Sequence, residues 1–334
     1  MLTPNLTTPC PTGPHRSSLS GTRISPLFFY LGNMKKLPAI LLMLCLALSA
    51  GAQKTDKQLT AILAPLLTAF NGQAGIYVHH LKTDRIVAIN ADTTFPTASM
   101  IKTAIQVGIF NKLAKGELQY HQNLVYRDSL LYKGEDILGA FRDSEQIALD
   151  KVVMLMLTMS DNTASLWLQS LAGGGLVINQ WLQEHGFEHL RVNSRTKGRE
   201  ANRQEYGWGQ TSPREMARLL EMIYKGEVIS AAASERMYRN LTRNYWDQEG
   251  LTQVPTNVRT ASKNGAVDES RSEVIMVNAP HGDYVYCIIT KNNKDQGWNH
   301  DNEAWQLLRK VGFAIWQYYE PASQWKPDPA SGQF

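Results

Sequence analysis

Apolar residues recur at intervals of three and four just after residue 55. Leu59, Ile62, Leu63, Leu66, Leu67 and Phe70 form one stripe, which predicts an amphipathic helix ended by Asn71-Gly72. Strand-like runs follow. "GIYVHHL" and "RIVAINA" read as strands with "KTD" as the turn between them. From about residue 99 to 226 the spacing is mostly helical. "KTAIQVGIFNKLA", "NTASLWLQSLAGGG" and "VINQWLQEHGF" predict helices, and "IALDKVVMLMLTM" is apolar almost all round, which predicts a buried one. "SPREMARLLEMIY" carries a capping box, with Ser212 at the cap, Pro213 in the first turn and Glu215 three residues on. After a helix near "SAAASERMYRNL", strands return in "VRTASKNG", "SEVIMVNA" and "DYVYCIITK". Turns are expected at Asn264-Gly265 and from Pro280 to Asp283. A long amphipathic helix, about Asn302 to Tyr319, precedes a Pro-rich tail.

This order predicts an α+β fold. A five-stranded antiparallel sheet is assembled from both ends of the chain and covered by helices, with an all-helical lobe inserted between its halves. The implied α/β lobe spans about 53–96 and 227–325, the helical lobe about 97–226, and the tail 326–334. The first 52 residues stand apart. "MKKLPAILLMLCLALSAGAQ" starts at Met34 with two lysines, continues with an apolar run from Leu37 to Leu48, and ends with Ala50-Gly51-Ala52 before Gln53. That is the pattern of a secretory signal peptide over 34–52, and the run is too short to span a bilayer. Residues 1–33 are rich in Pro, Thr, Ser and Gly without apolar periodicity, and read as an upstream-start artefact. The expected product is periplasmic or secreted, has no stable membrane anchor after cleavage, and is a monomer.

Composition sharpens this picture in two places. The formal charge of +4 comes from Arg16, Arg23, Lys35 and Lys36 in the removed segment, so the remainder balances and nothing argues for nucleic acid. Of three cysteines, Cys10 and Cys45 leave with that segment. Cys287 stays alone in an apolar strand, which excludes an intramolecular disulfide and predicts a buried structural thiol.

Candidate chemistry begins at "FPTASMIK". Ser99 and Lys102 are three apart, so a helix puts them on one face, and a serine hydroxyl needs such an adjacent base to act as a nucleophile. A chain of this length yields S-x-x-K by chance, so the pair alone carries little. "TMSDNTAS" adds Ser160-Asp161-Asn162 at a helix-to-helix junction, where these residue types also serve as ordinary N-caps. "ASKNGAVD" adds Lys263 beside Gly265. By itself it reads as a surface lysine at a hairpin turn, or as a strand end where backbone approaches a ligand.

Taken in order, Ser99-x-x-Lys102, Ser160-Asp161-Asn162 and Lys263-Asn264-Gly265 resemble the S-x-x-K, S-D-N and K-T-G signature of class A β-lactamases and penicillin-binding proteins. "MLTMSDNTASLWL", "GGGLVINQWLQEHGF" and "TSPREMARLLEMI" are similar to segments of that family in the same order, and the resemblance covers residues 55 to 320. It implies that Ser99 is acylated, that Lys102 takes its proton, and that Ser160 passes a proton to the leaving nitrogen. It also implies that Asn162 holds the substrate amide and Lys263 attracts its carboxylate. The N–H groups of Ser99 and Ala266 would form an oxyanion hole, where one donor is worth about 3 kcal/mol. No cofactor and no metal is expected. His79, His80, His121, His185, His189, His281 and His300 form no H-E-x-x-H, and His79 and His80 would face opposite ways on a strand.

Two departures from the family pattern stand out. Asn264 replaces the usual Thr or Ser, and Arg271 in "SRSEV" is a candidate addition to the same anion site. The loop that should carry the deacylating carboxylate reads "NSRTKGREANRQEYGWGQTSP". Glu200 is the best match for the base, Gln204 for its amide partner with Asn202 second, and Glu205 is the fallback. Gly198 and Gly209 stand where an arginine and an aspartate usually clasp the loop, so a loop rebuilt without that pair is expected. The leading expectation is an exported serine β-lactamase acting on small-molecule β-lactams or cell-wall peptide-like substrates. The alternatives are a penicillin-binding protein that stalls as an acyl-enzyme, or an esterase or peptidase on the same scaffold.

Overall fold

The computed structural model describes residues 53–134 and 136–328. The expected start artefact, the signal peptide and most of the expected tail lie outside the described residues.

The strands of the main sheet are β1 (Lys54–Thr55), β2 (Gln73–His80), β3 (Arg85–Ile89), β4 (Thr260–Val267), β5 (Ser270–Val277) and β6 (Tyr284–Lys291). The helices are α1 (Lys57–Thr68), α2 (Lys102–Ala114), α3 (Leu149–Met154), α4 (Asn162–Leu171), α5 (Gly174–Glu184), α6 (Glu200–Tyr206), α7 (Pro213–Lys225), α8 (Ala231–Leu241) and α9 (Glu303–Tyr319). The sheet order is β1-β3-β2-β6-β5-β4. Five strands pair antiparallel as expected, and β1 adds two residues parallel to β3. A two-residue strand has no periodicity to read. Backbone bonds flank it on both sides, Lys54 N–H to Asp84 O at 3.1 Å and Asp56 N–H to Ile86 O at 2.7 Å.

Strand alternation sorts side chains into two cores. Ile76, Val78, Ile275, Val277, Tyr284, Tyr286 and Ile288 pack with α1 and α9. Tyr77, Val274, Met276, Val285, Cys287 and Ile289 face the other way and join the core formed with α2, α4, α7 and α8. The paired histidines follow the same rule. His79 reaches Glu221 of α7, and His80 packs on Tyr319 of α9. Burial pushes the Cys287 thiol well up, as fits a structural residue. In α1 the stripe is narrower than expected, since Leu59, Leu63 and Leu67 are buried while Ile62 stays 41% exposed.

Three local expectations change. "IALDKVVMLMLTM" is not one helix. A short strand (Gln146–Ala148) leads into α3, which opens into a π-helical turn over Leu155–Met159. Asn264 and Gly265 are not a turn, because β4 runs through them and the chain reverses at Asp268-Glu269. The capping box at α7 is half-formed. Ser212 Oγ accepts from Glu215 N–H at 3.3 Å, but the Glu215 carboxylate turns to the N–H groups of Glu188, His189 and Leu190. That carboxylate therefore anchors the segment entering the 193–208 loop. No helix among the described residues is long and apolar enough to cross a membrane.

Candidate active site

Ser99 lies in a 3-10 turn, Ala98–Ile101, and α2 begins only at Lys102. With three residues per turn, positions i and i+3 eclipse, so Ser99 and Lys102 share an edge more strictly than an α-helix would give. Ala98, just before Ser99, has a φ of +43°. Such a conformation costs an alanine about 1–3 kcal/mol and persists only where neighbours enforce it. Here Thr97 N–H donates to Gly209 O at 2.9 Å, Met100 N–H to Thr97 O at 3.0 Å, and Ser272 Oγ to Thr97 O at 3.3 Å.

Ser160 ends the π turn in the left-handed region, with φ +59°. Asp161 then caps α4, its Oδ1 accepting from Ala164 N–H at 2.7 Å and its Oδ2 from Leu138 N–H at 3.0 Å. The capping and catalytic readings of this box therefore apply to different residues. Asp161 faces the helix, while Ser160 and Asn162 face Lys102. A second carboxylate reinforces the turn. Asp136 Oδ1 accepts from Asn162 N–H at 2.9 Å, and its Oδ2 from Thr163 N–H at 2.7 Å and Thr163 Oγ1 at 2.8 Å.

Lys102 is fully buried. Its Nζ donates to Asn162 Oδ1 at 2.8 Å and to the Ser160 carbonyl, and lies 3.1 Å from Ser160 Oγ. Burial lowers its pKa to about 7, against the opposing pulls of Asp136 and Asp161. A neutral amine keeps two N–H donors for the carbonyl and the amide oxygen. Its lone pair is then available to a hydroxyl proton.

Lys263 is fully buried in β4, not on the surface. Its Nζ donates to the Asn264 carbonyl at 2.9 Å and to Asn264 Oδ1 at 3.1 Å. Burial, then repulsion from Lys102, holds it well below the usual lysine range. Glu273 pulls the other way, but burial pushes Glu273 itself up to about 8, so it is largely uncharged at neutral pH. Gly265 is where β4 meets the Ser99 turn. A Cβ there would sit 2.4 Å from Thr97 O and 2.8 Å from Ser99 N.

Two cavities of about 690 and 620 Å³ share Ser99, Asn162 and Ala266. The first arm runs past Tyr132, Glu205, Trp208 and Val267. The second runs past Ser160, Glu249, Asn264 and Gly265 to Trp246, Trp298 and Trp305. Ser99, Lys102, Ser160, Asn162, Lys263, Asn264, Gly265 and Ala266 thus gather around one cleft.

Three other candidates do not join them. Arg271 projects from β5 toward the α9 side, where its guanidinium donates to the carbonyls of Val267, Asp268, Ser270 and Gly297. Glu200 opens α6 in an exposed position, its Oε1 accepting from Gly198 N–H at 3.0 Å, and it lines neither cavity. Gln204 is exposed and lines neither. Glu205 does line the first arm and pairs with the Tyr206 hydroxyl, which raises the tyrosine pKa.

The loop is clasped one residue along from the expected positions. Arg199 Nε donates to Asn193 Oδ1 at 2.9 Å and its Nη2 to Gln210 Oε1 at 2.6 Å, so neutral amides replace the usual carboxylate. Gln169 of α4 pins the same loop through Ser194. Asp136, Trp246 and Trp298 escaped the sequence reading. Asp136 sits in a polar stretch without periodicity, and an exposed tryptophan looks the same in sequence as a buried one.

A family model described as "Beta-lactamase enzyme family" matches residues 54–319. The chain is 21% identical over 300 residues to beta-lactamase VEB-1 of Pseudomonas aeruginosa, covering 86% of this chain and 98% of that one. It is 26% identical over 305 residues to a beta-lactamase of Bacillus licheniformis, covering 85% and 96%. Among solved structures, an acyl-enzyme complex of a PBP-A mutant with penicillin G superposes with a TM-score of 0.72 at 26% identity, covering 80% of this chain and 98% of that one. A beta-lactamase from Sphaerobacter thermophilus gives 0.71 at 21% identity, with coverage of 80% and 98%.

Proposed function

The chain belongs to the beta-lactamase enzyme family, a serine hydrolase of that type, and on this footing we propose that it is an exported serine β-lactamase. The observation that carries the proposal is the buried Lys102 amine, with a pKa of about 7, bonded to both Ser160 and Asn162, which line the cleft together with Ser99. Such a base is part-neutral at physiological pH and suited to acyl transfer. Ser99 Oγ attacks the lactam carbonyl while its proton passes to Lys102. The C–N bond then breaks, and the leaving nitrogen takes a proton through Ser160. The acyl-enzyme of the PBP-A relative with penicillin G, at 26% identity, supports this first half.

The second half needs water and a carboxylate. Glu205 lines the first arm and Glu200 does not, so the base is assigned to Glu205. Water adds to the Ser99 ester and gives its proton to Glu205. The ester C–O bond then breaks and that proton passes to Ser99 Oγ, which returns the serine and a neutral site. A second reading rests on the same loop. Glu205 is already engaged with Tyr206 and Glu200 with Gly198, so the acyl-enzyme persists if neither delivers water, as in a penicillin-binding protein. Export follows from the signal-like stretch Met34–Ala52, and a native chain starting at Gln53 is the expected product.

The test is incubation of the mature chain with a penicillin, following protein mass and drug together. Catalytic loss of drug supports the β-lactamase, and a lasting adduct on Ser99 supports the second reading. An absence of both leaves an esterase or peptidase. Glu205→Gln should convert turnover into a lasting adduct, while Glu200→Gln leaves turnover within about twofold.

A further inference from the structure

The second arm of the cleft is walled by tryptophan. Trp246 is 42% and Trp298 61% exposed, although large aromatic rings are normally drawn into the core. Both are braced. Trp246 Nε1 donates to Met159 O at 2.9 Å, and its ring meets Tyr245 edge-on at 5.3 Å. Trp298 Nε1 donates to Asp268 Oδ1 at 2.9 Å. The Arg271 guanidinium lies 4.3 Å from the Trp298 ring centroid and 5.0 Å from that of Trp305, so it backs both rings. Arg271 therefore builds the wall and is not delivered to the cleft. Among the described residues lining this arm there is no lysine or arginine, and Asp136 and Glu249 are both present. Recognition at its far end thus depends on flat apolar surface more than on cationic charge.

The arm also holds Ser160, the hydroxyl placed to protonate the leaving nitrogen. We propose that Trp246 and Trp298 form a subsite for an uncharged, flat aromatic group carried on the leaving-nitrogen side of the substrate. The preferred β-lactams are those with a heteroaryl substituent on the ring fused to the lactam. This rests on the β-lactam reading above and adds the substrate class. The indole N–H groups are tied to protein, so the ring faces are pre-organised for stacking at little entropic cost. Two aromatic contacts of ordinary strength make a difference of about tenfold.

The experiment compares two β-lactams with the same acyl side chain, one with a heteroaryl and one with a methyl group on the leaving side. The aryl compound should acylate Ser99 about tenfold more efficiently, with the difference in KM. Trp298→Ala and Trp246→Ala should each reduce that ratio severalfold, by slowing the aryl compound more than the methyl compound. Trp298→Phe should retain most of the preference, and melting curves confirm folding. A wild-type ratio near one, or a ratio unmoved by both alanine variants, overturns the proposal. If neither compound acylates Ser99, the function reading fails by itself. The subsite is then judged by titrating the folded Ser99→Ala protein with the aryl compound and following tryptophan fluorescence. Saturable quenching that Trp298→Ala abolishes supports the subsite, and no saturable quenching overturns it.

Discussion

Gly265→Ala is the sharpest test of how strand β4 sets the Ser99 site. The added methyl would stand 2.4 Å from Thr97 O and 2.8 Å from Ser99 N. Both are backbone atoms, so no side chain can swing aside. Ordinary contact is about 3.5 Å, and strand and turn must therefore separate by about 1 Å. The N–H groups of Ser99 and Ala266 lie on the two sides of that contact, so the distance between the expected oxyanion donors changes with it. Misplacement by about 1 Å typically costs about 100-fold in rate, or about 2.7 kcal/mol, similar to the loss of one donor. The assay is the single-turnover acylation rate with a penicillin, read by mass, alongside circular dichroism and a melting curve. A folded variant should acylate about 100-fold more slowly. Acylation within about twofold of wild type would refute the reasoning, because the oxyanion site could not then depend on this approach.

Two further outcomes are expected. Asp136 raises the proton affinity of Lys102, so Asp136→Asn should move the rising limb of the acylation pH profile to lower pH than the wild-type midpoint of about 7. It should also cost about 1 kcal/mol of stability through the lost cap on α4. An unmoved or raised midpoint would contradict the assignment. His79 has Nδ1 2.8 Å from Glu221 and Nε2 2.9 Å from Asp84. Burial alone would lower its pKa, but the two carboxylates outweigh that and raise it. The folded state therefore holds the proton more tightly, and this stabilisation is full below the unfolded pKa of about 6.5 and fades as pH climbs through the raised value. Melting temperatures of wild type and His79→Gln should differ most near pH 6 and converge toward alkaline pH. A gap that widens with pH would exclude the charged histidine.

Much of the cleft was legible because three short patterns, each carrying little by itself, stand in the order of a known family. Ser99 with Lys102 and Ser160 with Asn162 are near in sequence, so local structure sets each pair. The misreadings share a cause, in that distant partners decide them. Gly265 looks like a turn glycine, but it is small because Thr97 and Ser99 pass beside it. Glu215 looks like the second half of a capping box, but three N–H groups from residues 188–190 claim it. Arg271 looks like an anion-site cation, but carbonyls around the Asp268-Glu269 turn use its donors. Glu200 matches the family spacing, but it stands exposed at the start of α6, accepts from Gly198 N–H and lines neither cavity. In each case a rearranged loop or strand outweighs the local pattern.

The order of strands in the sheet has a consequence for how the molecule is made. β2 and β3 lie near the start of the described chain, yet the partner of β2 is β6, with Tyr77 opposite Cys287. Until Tyr284–Lys291 has been synthesised, the hairpin of β2 and β3 carries an open edge with unpaired N–H and C=O groups. Such edges pair readily with other chains, and long-range pairing of this kind slows folding. A truncation before residue 284 should therefore yield an aggregating chain and not a weakened enzyme. The first hairpin waits for the last strand, and the Ser99 turn waits for β4 and β5, whose Gly265 and Ser272 pack against it.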